Sequence, residues 1–240
     1  GIYKGNPAKL IKKIDGSKII ENAREIGYHD FHLDGCFCDS EKKFTFIHIF
    51  KNASIAIRNS LGMRKKYFAW DIAKDFKNST TICVIRNPSQ RFISAYQHIL
   101  KLCDGGFPNR HPTEVTRGSD FFSKRDNPIE SFLLFLEFIE KKGFYDAVTI
   151  PQTTFLRERG ILINDIDNIF IQERLERDFC FFKNKYGINS NLTKDNSGNS
   201  DITKLLNEFV ENNKGVKNRI MRLYKSDFEL YFKLMEMKKE

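Results

Sequence analysis

Apolar positions in this chain follow two periods. Phe44-Thr45-Phe46-Ile47-His48-Ile49 is short, β-branched and aromatic, which suits a buried strand. A polar break, Lys51-Asn52-Ala53-Ser54, follows, and from Ile55 to Leu61 the apolar residues return at helical spacing. The pattern repeats. Ile82 to Ile85 reads as a second strand with Arg86 at its end, and Pro88 opens a helix to Leu100, where its missing N–H costs nothing. Ile169 to Ile171 reads as a third strand, followed by a helix from Glu173 to Tyr186 that Gly187 ends. Further helices are predicted at Lys18 to Ile26, Tyr67 to Phe76, Pro128 to Lys142, 202 to 213 and 216 to 238, and a further strand within Phe144 to Thr153. Lys101 to Asp126 has no period, as expected of a binding loop or lid. Alternating strands and helices predict an α/β domain with a central parallel sheet flanked by helices.

The totals bound this picture. At 240 residues the chain holds one substantial α/β domain, and its 40% hydrophobic and 30% charged composition is that of a soluble protein. No run approaches the roughly 20 apolar residues of a membrane span, so none is expected. Five cysteines, an odd number scattered from Cys36 to Cys180, point to reduced thiols and a cytoplasmic setting. The net charge of +9 favours anionic partners. Nucleic acid is not expected among them, because no helix-turn-helix, zinc-finger or RNA-binding signature accompanies the charge. His29, His32, Cys36 and Cys38 do not have the spacing of a standard zinc set, and no metal is expected.

Candidate chemistry lies at the strand-to-helix breaks. The first turn of a helix leaves N–H groups unpaired at the positive end of its dipole, so an anion is held there, and Lys51 adds a full charge. An NTP-binding loop has glycines and carries its Lys last, whereas this loop has no glycine and carries its Lys first. At the second break, Arg86 offers a planar fork for phosphate, with Arg91 one turn and Ser94 two turns into the helix.

Together the two stretches resemble the nucleotide signatures of sulfotransferases that use 3′-phosphoadenosine 5′-phosphosulfate (PAPS), in particular the carbohydrate branch. In that family H-x-P-K begins the loop around the 5′-phosphosulfate, and R-[DN]-P-x-x-R-x-x-S-x-Y begins the 3′-phosphate site. Arg86, Asn87, Pro88, Arg91, Ser94 and Tyr96 match the second in full. His48, Lys51, Asn52, Ala53 and Ser54 fit the first, with Phe50 in place of Pro, and Ile55 and Ala56 where the family usually has hydroxyls. Weaker matches are Asp146, Pro151 and Gln152 to D-x-H-x-x-P-Q, with Val148 in the His position, then Glu173, Leu175, Asp178 and Phe179, and finally Tyr224 and Asp227 to a Y-x-x-D ending.

The resemblance implies a P-loop-like sulfotransferase fold, PAPS as donor, its desulfated product PAP, and a carbohydrate hydroxyl as acceptor. It implies a donor site of Lys51, Asn52, Ala53, Ser54, Ile55, Arg86 and Ser94, with Lys194 from a loop that folds over the nucleotide. Lys51 takes the role of the catalytic cation. The general base stays open between His98 and His111, with Glu114 or Asp71 as carboxylate alternatives. Arg110, His111, Arg117, Lys124 and Arg125 are candidate acceptor contacts. Residues 1–15 are similar to the tail of left-handed β-helix acyltransferases, which implies an upstream acyltransferase-like domain, a linker or extension over 1–43 and a sulfotransferase domain over 44–240. Two other readings compete: a non-catalytic PAP- or glycan-binding module, and a P-loop nucleotide kinase that needs Mg²⁺ and a Walker-type Ser or Thr after its Lys.

Overall fold

The structure, a computed structural model, describes residues 36–39, 41, 43–63, 65–67, 79–104, 119–144, 147–157, 161–193 and 200–238. One sheet is built from β1 (Cys36–Cys38), β2 (Phe44–Ile47), β3 (Lys65–Tyr67), β4 (Thr80–Ile85) and β5 (Asn168–Ile171), in the order β3-β1-β2-β4-β5. The expected parallel core is β2-β4-β5, in register through Phe46 opposite Ile82 and Val84 opposite Phe170. An antiparallel pair extends it. β1 runs against β2, and β3 against β1.

Successive residues of the central strands feed opposite faces, as the pleat requires. Ile47, Cys83, Ile85 and Ile171 join one apolar cluster, and Phe46, Ile82, Val84 and Phe170 the other. Both faces are covered, which explains why the strands read as continuous apolar runs. The smaller cluster lies under α1 (Ser54–Ser60) and α6 (Leu175–Tyr186), through Ile57, Phe179 and Phe182. The larger one gathers α2 (Pro88–Cys103), α4 (Pro128–Lys142), α5 (Gln152–Arg157), α7 (Ser200–Asn212), α8 (Lys214–Leu223) and α9 (Lys225–Met237). The short α3 (Asp120–Ser123) packs its Phe121 against α4.

Caps set the helix starts. Asn87 accepts hydrogen bonds from the N–H groups of Ser89 and Gln90 at 3.0 and 3.3 Å, and Asn127 accepts one from Glu130 N–H at 3.3 Å, each just before a proline. Gly187 ends α6 with φ 66°, the left-handed cap that glycine adopts at little cost.

Four expectations need correction or fall outside the described residues. The segment Phe144 to Thr153 holds no strand among the described residues: Ala147 to Ile150 is a buried turn that leads into α5. Its backbone need is met without a neighbouring strand, because the Tyr224 hydroxyl donates to the Thr149 carbonyl at 2.5 Å. The same tyrosine divides the predicted final helix, since Tyr224, at φ −111° and ψ 32°, separates α8 from α9 while its ring packs on Phe92 and Phe144. Tyr67 belongs to β3 rather than to a helix, and the rest of that predicted helix, like the one at Lys18 to Ile26, lies outside the described residues.

The β5 edge of the sheet is closed by side chains. Lys238, just past α9, donates to the Ile169 carbonyl at 2.6 Å and pairs with Asp178 at 2.7 Å, and Asp178 accepts from Ile171 N–H at 2.8 Å.

Candidate functional site

The ends of β2 and β4 lie side by side, and the loops that leave them form the site. After β2, the chain passes His48 and Ile49, both buried, and reaches Lys51 at φ 69° and Ala53 at φ 49°. Two non-glycine residues in the left-handed region cost roughly 1 kcal/mol or more each, so the surroundings must hold them. They do so through three polar contacts. Arg86 Nη1 donates to the Lys51 carbonyl at 3.0 Å, Arg91 Nε to the Phe50 carbonyl at 3.1 Å, and Asn52 Nδ2 to the Val84 carbonyl at 2.7 Å. The strained loop delivers the chain into α1, whose N-cap residue Ala53 makes no side-chain cap and whose first turn holds no acidic residue. Ser54 and Ile55 stand in that turn, Ile55 exposed.

Arg86 leaves β4 at the same level. Its side chain crosses to the Lys51 loop, and Glu173, which accepts from Asn87 N–H at 2.9 Å, lies near enough for its charge to act on Arg86. Arg91, only 1% exposed, lies behind the loop with its guanidinium 5.9 Å from the Phe155 ring. Arg86 Nε, both terminal nitrogens of Arg91, Ser89 Oγ and Asn52 Oδ1 are buried with no hydrogen-bond partner among the described residues.

Crowding of like charge shows in the ionisation. Burial, then Arg86, Arg91 and Lys101, lowers the Lys51 ammonium to about 8. Burial also lowers Arg86 to about 10, with Glu173 working in the opposite direction. Buried cations crowded in this way would be relieved by an anion placed among them.

A cleft of about 660 Å³ opens beside α1. Ala53 and Ala56 form one wall, Gln172 to Arg177 the other, and Leu192 and Thr193 the end. Thr193 fastens that end to α1, its N–H donating to Ser60 Oγ at 3.0 Å and its hydroxyl to the Ala56 carbonyl at 3.3 Å.

The structure therefore brings Lys51, Asn52, Ala53, Ser54, Ile55 and Arg86 together. Ser94 and His98 lie half-buried on α2, one turn apart, and Lys101 follows on the same side. His111, Lys194, Asp71 and Glu114 fall outside the described residues. Cys36 and Cys38 sit in β1, where Cys38 Sγ is 3.4 Å from Thr45 Oγ1, and no group of three or more metal-capable side chains occurs among the described residues. Sequence reasoning misses what Gln152 and Asp227 do. Gln152 Oε1 accepts from Asn52 Nδ2 at 2.6 Å and from Arg86 N–H at 2.9 Å, and Asp227 holds the backbone of Gln152 and Thr153. Their only sign in the sequence is the partial motif each ends.

Strained loop, uncapped helix start and converging cations at parallel strand ends make this junction the candidate anion site of the α/β fold. Residues 32–233 match the model of the Sulfotransferase family, and the chain belongs to that family. Membership makes it a transferase, of the class that moves sulfuryl groups. The chain has no match among curated proteins and none among solved structures. No helix among the described residues is long and apolar enough to cross a membrane.

Proposed function

We propose that this protein transfers the sulfuryl group of PAPS to a hydroxyl of a carbohydrate acceptor. The observation that carries the reading is the junction of two adjacent strand ends, Lys51 on one and Arg86 on the other, joined by the 3.0 Å bond from Arg86 Nη1 to the Lys51 carbonyl. PAPS has two anionic ends, and the site has two cationic ones. The buried Arg86 Nε and the depressed Lys51 fit such a ligand, because each gains by meeting an anion.

Lys51 and the backbone N–H groups at the start of α1 face the 5′-phosphosulfate, Arg86 and Ser94 the 3′-phosphate, and the cleft beside α1 takes the adenosine. PAPS, when bound, supplies a sulfuryl group on a phosphate leaving group. Lys51 holds its proton beside the bridging oxygen, where negative charge grows, and the fixed loop spares reorganisation at that moment. His98, one turn beyond Ser94, or His111 removes the proton of the acceptor hydroxyl. Lys194, in the segment after Thr193, adds charge over the nucleotide. A kinase is disfavoured by Asn52: it stands where a Walker loop has its metal-binding hydroxyl, and its amide is committed to Val84 and Gln152.

A second reading, nucleotide binding without transfer, is favoured by Val148, which replaces a family His and is 1% exposed, so that position presents no base. One pair of measurements separates the two. Thermal shift should show stabilisation by PAP over ATP and GTP, and radiolabelled PAPS should pass its sulfur to a panel of glycans. Lys51→Ala should cut turnover about 100-fold or more while raising the Kd for PAP by less than about tenfold. PAP binding with no transfer to any glycan selects the second reading, and no preference for PAP sinks both.

A further inference from the structure

A buried amide ties the two strand ends together from behind. Gln152 opens α5 with no exposed surface, and its side chain meets the Arg86 peptide on both sides. Oε1 accepts from Arg86 N–H at 2.9 Å, and Nε2 donates to the Arg86 carbonyl at 2.9 Å. This is how a neighbouring strand would pair, one residue beyond Ile85, where β4 last pairs with β5. Oε1 also accepts from Asn52 Nδ2 at 2.6 Å, so a single amide links the Lys51 loop to Arg86.

Gln152 is itself anchored. Its N–H donates to Asp227 Oδ2 at 2.7 Å, and Thr153 gives Asp227 Oδ1 its N–H at 2.9 Å and its hydroxyl at 2.8 Å. Asn52, Gln152 and Asp227 have no exposed surface, and Arg91, whose charge acts on Asp227, has 1%. Buried, mutually bonded polar groups of this kind tolerate one geometry and resist others.

We propose that Gln152, held by Asp227, is a positioning residue that presets the distance between the Lys51 loop and Arg86, and so fits the site to two phosphates at one fixed spacing on a single nucleotide. The proposal rests on the donor reading above. Two anions on one ligand reinforce each other only when their sites are already the right distance apart. Without the amide, Arg86 N–H, Arg86 C=O and Asn52 lose their common partner, and the two ends, still joined by Arg86 Nη1 to the Lys51 carbonyl and by Asn52 to the Val84 carbonyl, lose the brace that fixes their spacing.

Calorimetric titration of the full chain with PAP, 5′-AMP and adenosine 3′-monophosphate tests this in the wild type, Gln152→Leu and Gln152→Glu. Gln152→Glu keeps the size and the accepting oxygen but cannot, when ionised, donate to the Arg86 carbonyl, and it carries the test if Gln152→Leu does not fold. The Kd for PAP should rise about tenfold or more, and that for each monophosphate less than about threefold, so that the advantage of two phosphates over one shrinks. Monophosphates weakened by the same factor as PAP, or an undiminished PAP advantage in the variants, overturn the proposal. A wild-type protein with no preference for PAP over the monophosphates overturns the donor reading instead, and the proposal with it.

Discussion

Lys51 is held at about 8 by burial and by its cationic neighbours, below the 10.5 of an unfolded lysine. Between these values the unfolded chain binds the proton and the unliganded fold does not, so this group adds stability as pH rises from 8 to 10.5. Binding of a polyanion reverses the preference and favours the ammonium. Nucleotide affinity should therefore fall above pH 8, by up to about tenfold per unit, with proton uptake seen by calorimetry in buffers of different ionisation enthalpy and lost in Lys51→Met. Arg91 answers to a different balance. It is the charge that opposes the upward shift burial imposes on Asp227, and Arg91→Ala, which also removes the bond to the Phe50 carbonyl, should destabilise by roughly 1–3 kcal/mol in urea unfolding. Lys51 and Arg86 are legible in the sequence because each closely follows a β-branched run and precedes a helix. The role of Gln152 is not legible, because its contacts reach back 66 residues to Arg86 and 100 to Asn52, where no local period records them.

At the scale of elements, the bounds that sequence reveals are those with a chemical stop. α4 runs from Pro128 to Lys142 as read, with a proline at one end and Gly143 at the other. The buried turn at 147–150 is mistaken for a strand because an apolar run carries the same message whether its backbone is bonded by a neighbouring strand or by side chains. The break between α8 and α9 is hidden because Tyr224 keeps its apolar ring in phase with both helices. Its hydroxyl does what no periodicity shows, and Tyr224→Phe should leave the Thr149 carbonyl buried without that donor, at a cost of about 1–3 kcal/mol by thermal or urea unfolding.

For the whole molecule, the α/β class and the parallel core follow from the order of strands and helices, whereas the antiparallel β1 and β3 do not, since each is only three residues long. The last consequence concerns the rim of the sheet. Ile169 C=O and Ile171 N–H, the groups that would welcome a strand from another chain, are already engaged by Lys238 and Asp178. Lys238→Ala should bare that carbonyl and raise light scattering on mild heating, with little change in nucleotide binding. Stoppered by its own lysine, the β5 rim turns away a stranger's strand and leaves lengthening of the sheet to the opposite rim, at β3.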